Sequence, residues 1–164
     1  MEPASPSSAI PSGPRLPDVF VDADACPVKD EVYRVAHRHG VKVYVVANAV
    51  LRVPAAGVEC VVVGGGFDAA DDWIVARVRP NDVLVTTDLP LVDRCLKAGA
   101  RALTPKGREY TLDTIPGALA SRALMDQLRQ QGETTGGPSP FSAKDRSRFL
   151  AELERVLGAA RRAL

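Results

Sequence analysis

The chain has almost no net charge, no paired cysteines, no long apolar run and no internal repeat, and each absence removes a class of protein. Its 21 lysines and arginines stand against 20 aspartates and glutamates, a net charge of +1 over 164 residues. No whole-molecule field therefore draws it to nucleic acid or to a membrane, and any such affinity has to come from a local patch. The three cysteines, Cys26, Cys60 and Cys95, are an odd count without a CxxC pair. Each sits in an apolar segment, the pattern of reduced, buried thiols in a cytoplasmic protein rather than of a disulfide framework. No apolar run approaches the length of a transmembrane helix. The start lacks the basic-then-apolar order of a signal peptide, so the expected location is the cytoplasm, away from membranes. His37 and His39 are two residues apart and do not share a helical face, which argues against a two-His metal site and leaves them as solvated polar groups. The run Gly64-Gly65-Gly66-Phe67 has neither P-loop nor GxGxxG spacing. Its firmer meaning is close backbone approach or a positive φ at a strand end.

What is present reads as one ordinary globule. An apolar fraction of 46% and a charged fraction of 25% suit a packed soluble domain, and the length suits a single core. Residues 1 to 17 are rich in Pro and Ser and too poor in large apolar groups to offset the entropy of ordering, so a disordered leader is expected there. From residue 18 onward strands and helices alternate. Apolar strands are expected at Val19–Val21, Val41–Ala47, Val58–Val63, Val83–Val85 and Arg101–Leu103. Pro27 opens a helix whose stripe is Val28, Val32, Val35 and Ala36 and whose end is Gly40. Asp68, as N-cap, opens a second helix through Val78, and Pro90 a third as far as Gly99. Leu112 to Gln131 is expected to be helical, with a break at Ile115-Pro116-Gly117 inside it or before it. Gly132 to Pro140 is a loop, and Ser142 with Asp145 forms a capping box for a last helix, Ala143 to about Ala163. The alternation predicts an α/β fold with a central parallel sheet of four or five strands and C-terminal helices.

The stretch that organises the rest is Val19 to Pro27, VFVDADACP. A buried strand that ends on Asp22 and Asp24 and turns straight into a helix places acids at the carboxyl edge of a sheet, where open α/β sheets keep their sites. Asp68, Asp71, Asp72, Asp88 and Asp93 recur at comparable junctions. Hard cations such as Mg²⁺ take oxygen ligands, often one or two carboxylates plus waters, and an ion so held can polarise a phosphodiester and activate water. Each acid also has a structural role open to it: Asp68 as a cap, Asp71 and Asp72 as partners of a helix dipole, Asp88 as a turn residue, Asp93 as a partner of Lys97. That role is preferred for Asp68, Asp72 and Asp93. Asp71 shares the core-facing stripe with Ile74, Val75 and Val78, whereas Asp72 is turned off it. Asp22 and Asp24 resist the structural reading, because acids on the end of a buried strand are costly unless paired or bound to a cation. Cys26 has no histidine with an obvious route to it and reads as a small buried hydrophobe.

The blocks VDADACPVKDEVYRVA, VVGGGFDAADDWI, VTTDLPL and TGGPSPFS together resemble the YaiI/YqxD family of bacterial proteins, from Val19 to the last helix. That family is similar in strand order and acid placement to the PIN-like nucleases, a three-layer fold in which acids at strand ends bind Mg²⁺ or Mn²⁺ and cut RNA. The resemblance implies that Asp22 matches the first-strand aspartate, Asp71 or Asp72 the helical acid, and Asp88 the acid of a Ser/Thr-x-Asp motif. Asp93 comes sooner than the fourth acid of typical PIN domains, and Asp24 has no obvious counterpart.

The expected function is a metal-dependent nuclease, RNA more readily than DNA, with Asp22, Asp24, Asp71 and Asp88 as catalytic groups and Asp72 beside them as a further ligand of Mg²⁺ or Mn²⁺. Arg52, Arg122, Lys144 and Arg146 are the candidate phosphate contacts. The alternative is a non-catalytic module binding RNA or protein on the same fold. A haloacid-dehalogenase-type phosphatase would also carry an Asp-x-Asp, but its metal acids follow its Ser/Thr and Lys motifs, and here Asp71 and Asp72 precede Thr86 and Lys97.

Overall fold

The computed structural model describes residues 15–24, 26–133 and 139–164. Eleven elements follow in the order β1 (Val19–Asp22), α1 (Lys29–His39), β2 (Val43–Ala47), β3 (Val58–Val62), α2 (Ala69–Arg77), β4 (Val83–Val85), α3 (Leu89–Lys97), β5 (Arg101–Leu103), β6 (Glu109–Tyr110), α4 (Ile115–Gln130) and α5 (Ala143–Ala163). The sheet has six strands in the order β3-β2-β1-β4-β5-β6, all parallel except β6, which runs antiparallel to β5. The expected four or five strands are thus corrected to six. The sixth is only two residues long, too short for alternation to reveal, and is placed by a turn in which Gly107 adopts φ 85. A Cβ on Gly107 would stand 2.7 Å from Arg148 Cγ, so this position needs glycine for space as well as for its dihedral.

Strand alternation divides the core into two layers. Val19, Val21, Val43, Val45, Val83 and Val85 face α1 and α5, meeting Val32, Val35, Phe149, Leu153 and Val156. Phe20, Val46 and Leu84 face α2, α3 and α4, meeting Ile74, Leu91, Val92 and Ile115. Phe20 stacks on Tyr44 with ring centroids 5.2 Å apart. Truncating a fully buried ring such as Phe20 or Phe149 to alanine costs about 3–5 kcal/mol.

Local signals hold at most ends. Gly40 caps α1 in the left-handed region at φ 67, and Ser142 and Asp145 complete the expected capping box of α5. Pro116 lies in the first turn of α4, so the break foreseen near Ile115 is the start of that helix. Three expectations are corrected. Asp68 sits at the N-cap position of α2 but in the left-handed region at φ 64, and its side chain caps nothing. His39 is not merely solvated: its Nε2 lies 2.6 Å from Glu154 Oε2, tying α1 to α5. Cys60 is half-buried, while Cys26 and Cys95 are buried, and all three thiols are free. Of the expected leader, residues 1–14 lie outside the described residues. Arg15 is docked on the domain, with Nη1 2.9 Å from Asp82 Oδ1. Part of the loop expected between Gly132 and Pro140, residues 134–138, also lies outside them. Among the described residues no helix is long and apolar enough to cross a membrane.

Candidate functional site

From β1 the chain moves outward to β2 and β3, then returns through α2 to β4 on the other side of β1. The carboxyl ends of β1 and β4 therefore flank the point where the strand order reverses, the crevice in which open α/β sheets bind ligands. Asp22 ends β1, and Asp88 follows β4 by three residues.

Parity decides which side chains meet there. Val21 is paired with Val85, both face α1 and α5, and so the next residues, Asp22 and Thr86, turn together toward α2 and α3. Thr86 is buried. Its hydroxyl donates to Asp22 Oδ2 at 2.9 Å and accepts from the Asp88 N–H at 3.0 Å, linking the two strand ends. Asp88 caps α3, Oδ1 accepting from the Leu91 N–H at 3.2 Å, so its cap role and its place in the crevice coexist. Asp71 comes in from the first turn of α2.

The electrostatics mark these acids as a group. Burial, then the charges of Asp88, Asp22 and Asp68, push the Asp71 carboxyl up to about 6, against a small opposing effect of Arg94. Burial, and after it the charges of Asp24 and Asp88, also raises Asp22, while the Thr86 hydrogen bond and the Asp24 N–H act the other way. Among the described residues none of Asp22, Asp24, Asp68, Asp71 and Asp88 forms an ion pair. Asp72 stands apart, exposed and paired with Arg94 at 3.1 Å, and Asp93 is paired with Lys97 at 2.9 Å. Asp24 is exposed, with Asn48 Nδ2 3.4 Å from its Oδ2.

The donors are hard oxygens, the class that Mg²⁺ or Mn²⁺ takes, and one or two carboxylates with waters suffice for such an ion. Among the described residues no group of three or more His, Cys, Asp or Glu closes into a ready cage. Any hard cation here would be held directly by no more than one or two of these carboxylates, with waters completing its shell.

The basic residues distribute unevenly. Arg52 is exposed in the connection leaving the carboxyl end of β2, and Lys144 is exposed in the first turn of α5. Arg146 is engaged, paired with the buried Glu31 and lying over the Phe141 ring at 5.1 Å. Arg122 lines a groove shared with Leu89, the residue after Asp88. Sequence reading passed over Lys29, whose Nζ donates to the Ala23 and Cys26 carbonyls at 3.3 and 2.9 Å and so ties the loop after Asp22. It also gave Thr86 no role of its own, although strand parity predicts that Thr86 faces Asp22. Burial raises the Cys26 thiol, which keeps it from acting as a thiolate.

Comparison with known proteins agrees with the blocks that carry the sequence resemblance. The family model described as "Uncharacterized BCR, YaiI/YqxD family" matches residues 20–159. A UPF0178 protein of Rhodospirillum centenum is 56% identical over 150 residues, covering 88% of this chain and 97% of that relative. One from Caulobacter vibrioides is 55% identical over 146 residues, 88% of this chain and 95% of its own length. Another, from Rhodopseudomonas palustris, is 55% identical over 140 residues, 85% of each. With a family match over residues 20–159 and relatives above half identity, the chain belongs to the YaiI/YqxD family.

Proposed function

We propose that the chain is a metal-dependent phosphodiesterase acting on RNA, with its site at the β1–β4 crevice. The observation that carries this reading is the gathering of Asp22, Asp71 and Asp88 at the reversal point, none of them in an ion pair among the described residues. Fully ionised carboxylates repel one another, and such a set is stable only if one stays protonated or a cation joins it. Mg²⁺ or Mn²⁺, when bound, would polarise the phosphodiester and activate water. The chain's own part is to hold the acids in place: Thr86 orients Asp22, the Leu91 N–H orients Asp88, and the first turn of α2 delivers Asp71. Asp24 is exposed beside Asn48, placed to meet a water on the ion or a substrate hydroxyl. The resemblance of the acid placement to PIN-like nucleases supports RNA as the substrate, and the chemistry needs no compartment other than the cytoplasm.

The competing reading is a non-catalytic RNA- or protein-binding module, and the lack of a ready three-ligand group among the described residues favours it. Thermal melts in EDTA and in millimolar Mn²⁺, followed by nuclease and phosphatase assays on the same preparation, separate the two. A nuclease site gives a Mn²⁺-dependent rise in melting temperature that Asp22→Asn and Asp88→Asn both lose, together with cleavage that they abolish. Equal shifts in parent and variants, or none, remove these acids from a metal site.

A further inference from the structure

Phe67 is 97% exposed, whereas Phe20 and Phe149 are essentially buried. It stands at the end of Gly64-Gly65-Gly66, where a Cβ on any of the three glycines would meet nothing within 4 Å. The ring is thus exposed to solvent on the loop that joins the carboxyl end of β3 to α2. Its next neighbour, Asp68, is close enough to Asp71 to act on its carboxyl. Protein interfaces draw on contiguous patches of roughly 800 Å² per partner, far more than Phe67 supplies even with the exposed Val62 of β3 and Val50 after β2. A flat aromatic face beside a phosphodiester-cutting site matches a nucleobase instead.

The opposite flank of the acids carries the positive charge. A groove of about 660 Å³ runs along α4 where it faces β6 and the start of α3, with Leu89, Tyr110 and Met125 on its walls and Arg108, Arg122 and Arg129 around it. Leu89 begins α3, and the Thr104–Arg108 turn follows the carboxyl end of β5, so the groove opens on the same edge as Asp22 and Asp88. Asp113 and Asp126 also line it. Arg129 is paired with Asp126 at 3.0 Å, and the Arg108 guanidinium lies over the Tyr110 ring at 4.9 Å. Arg122 has no ion pair among the described residues. Phe67 follows β3 and the Arg108 turn follows β5, four inter-strand steps away at about 19 Å, so the two flanks are separated by a few nucleotides of extended chain.

We propose that Phe67 is a stacking platform for an unpaired base and that the Arg108–Arg122 groove takes phosphates on the far side of the acids, so that the site engages single-stranded RNA laid along the carboxyl edge. This inference rests on the reading of the acids as a nuclease site, and it adds selection for single strands. A duplex hides its base faces and cannot use the platform.

The test is fluorescence anisotropy with a labelled short oligouridine and with the duplex it forms with oligoadenosine, in EDTA, where metal-dependent cleavage stops. The parent is expected to prefer the single strand. Phe67→Ala should weaken that binding about tenfold and leave duplex binding unchanged, with Phe67→Trp restoring it. Arg122→Ala should weaken both probes and lower the slope of log affinity against log salt by about one. Both side chains are exposed, so neither variant threatens the fold. Single-strand binding by Phe67→Ala equal to that of the parent, or no strand preference in the parent, overturns the proposal. Mn²⁺-dependent cleavage with an inert Phe67→Ala would sink the platform alone, and platform-dependent binding without any cleavage would sink the nuclease reading alone.

Discussion

The two ends of strands β1 and β4 carry the same residue type in opposite circumstances. At the amino ends stand Asp18 and Asp82. Asp82 is fully buried, yet it accepts from Arg15 Nη1 and the Asp18 N–H at 2.9 Å and from the Arg79 N–H at 2.8 Å. Asp18 pairs with Arg79 at 2.9 Å, and burial with the Asp82 charge still raises it. At the carboxyl ends, the Thr86 hydroxyl joins the Asp22 carboxylate to the Asp88 N–H, the Asp88 carboxylate caps α3, and Asp71 adds a third charge rather than a counter-charge. The lower pair is an internally satisfied brace. The upper set has no ion-pair partner among the described residues, and the proposed metal site rests on that contrast.

Removing one acid from the brace should have the largest effect. Asp82→Ala leaves Arg15, Arg79 and two backbone N–H groups without their acceptor and should cost about 3–5 kcal/mol, read by urea denaturation. A loss below about 1 kcal/mol would break the contrast between the two edges. Next is metal addition. An ion at a hundred times its dissociation constant stabilises the folded state by about 2.7 kcal/mol, so Mn²⁺ should raise the melting temperature of the parent and of an Arg79→Ala control alike, but not of Asp22→Asn.

A smaller effect, of opposite sign to the first, is expected at Asp71. Its folded-state pKa of about 6 lies above the usual 3.8, so the folded chain keeps this proton longer than the unfolded chain. Stability contributed at this site therefore falls as pH rises from about 3.8 through about 6, and above that the penalty is complete. Asp71→Asn should stabilise the metal-free protein by about 1 kcal/mol at pH 7, discounted for solvent screening, and by nothing near pH 3. Paired melts across that range decide it, and an Asn variant less stable than the parent at pH 7 would show that Asp71 is held by favourable contacts. Least of all should Asp93→Ala matter. Its exposed i,i+4 partner Lys97 makes a pair worth no more than about 0.5 kcal/mol, and its Mn²⁺ response should match that of the parent.

Much of this was legible one segment at a time. Apolar runs that end on acids, a proline at the start of α3, Gly40 after the stripe of α1 and the Ser142–Asp145 box are local signals, and each stands where local physics puts it. The β6 strand was not legible, because two residues carry no period. Asp68 misled because its type suits an N-cap while its backbone adopts a left-handed turn. His39 misled because its partner Glu154 is over a hundred residues away.

The sequence by itself determined that strands alternate with helices, that acids lie at strand ends and that no charge excess governs the molecule, since periodicity, capping and composition act within a few residues. Only the tertiary structure decided which acids share a crevice. The crossover that brings β4 beside β1 joins Asp22, Thr86 and Asp88, while Arg15 and Arg79 are spent on the opposite edge. Pairing of charges depends on distance through space, and distance through space is set by strand order, which no single segment encodes.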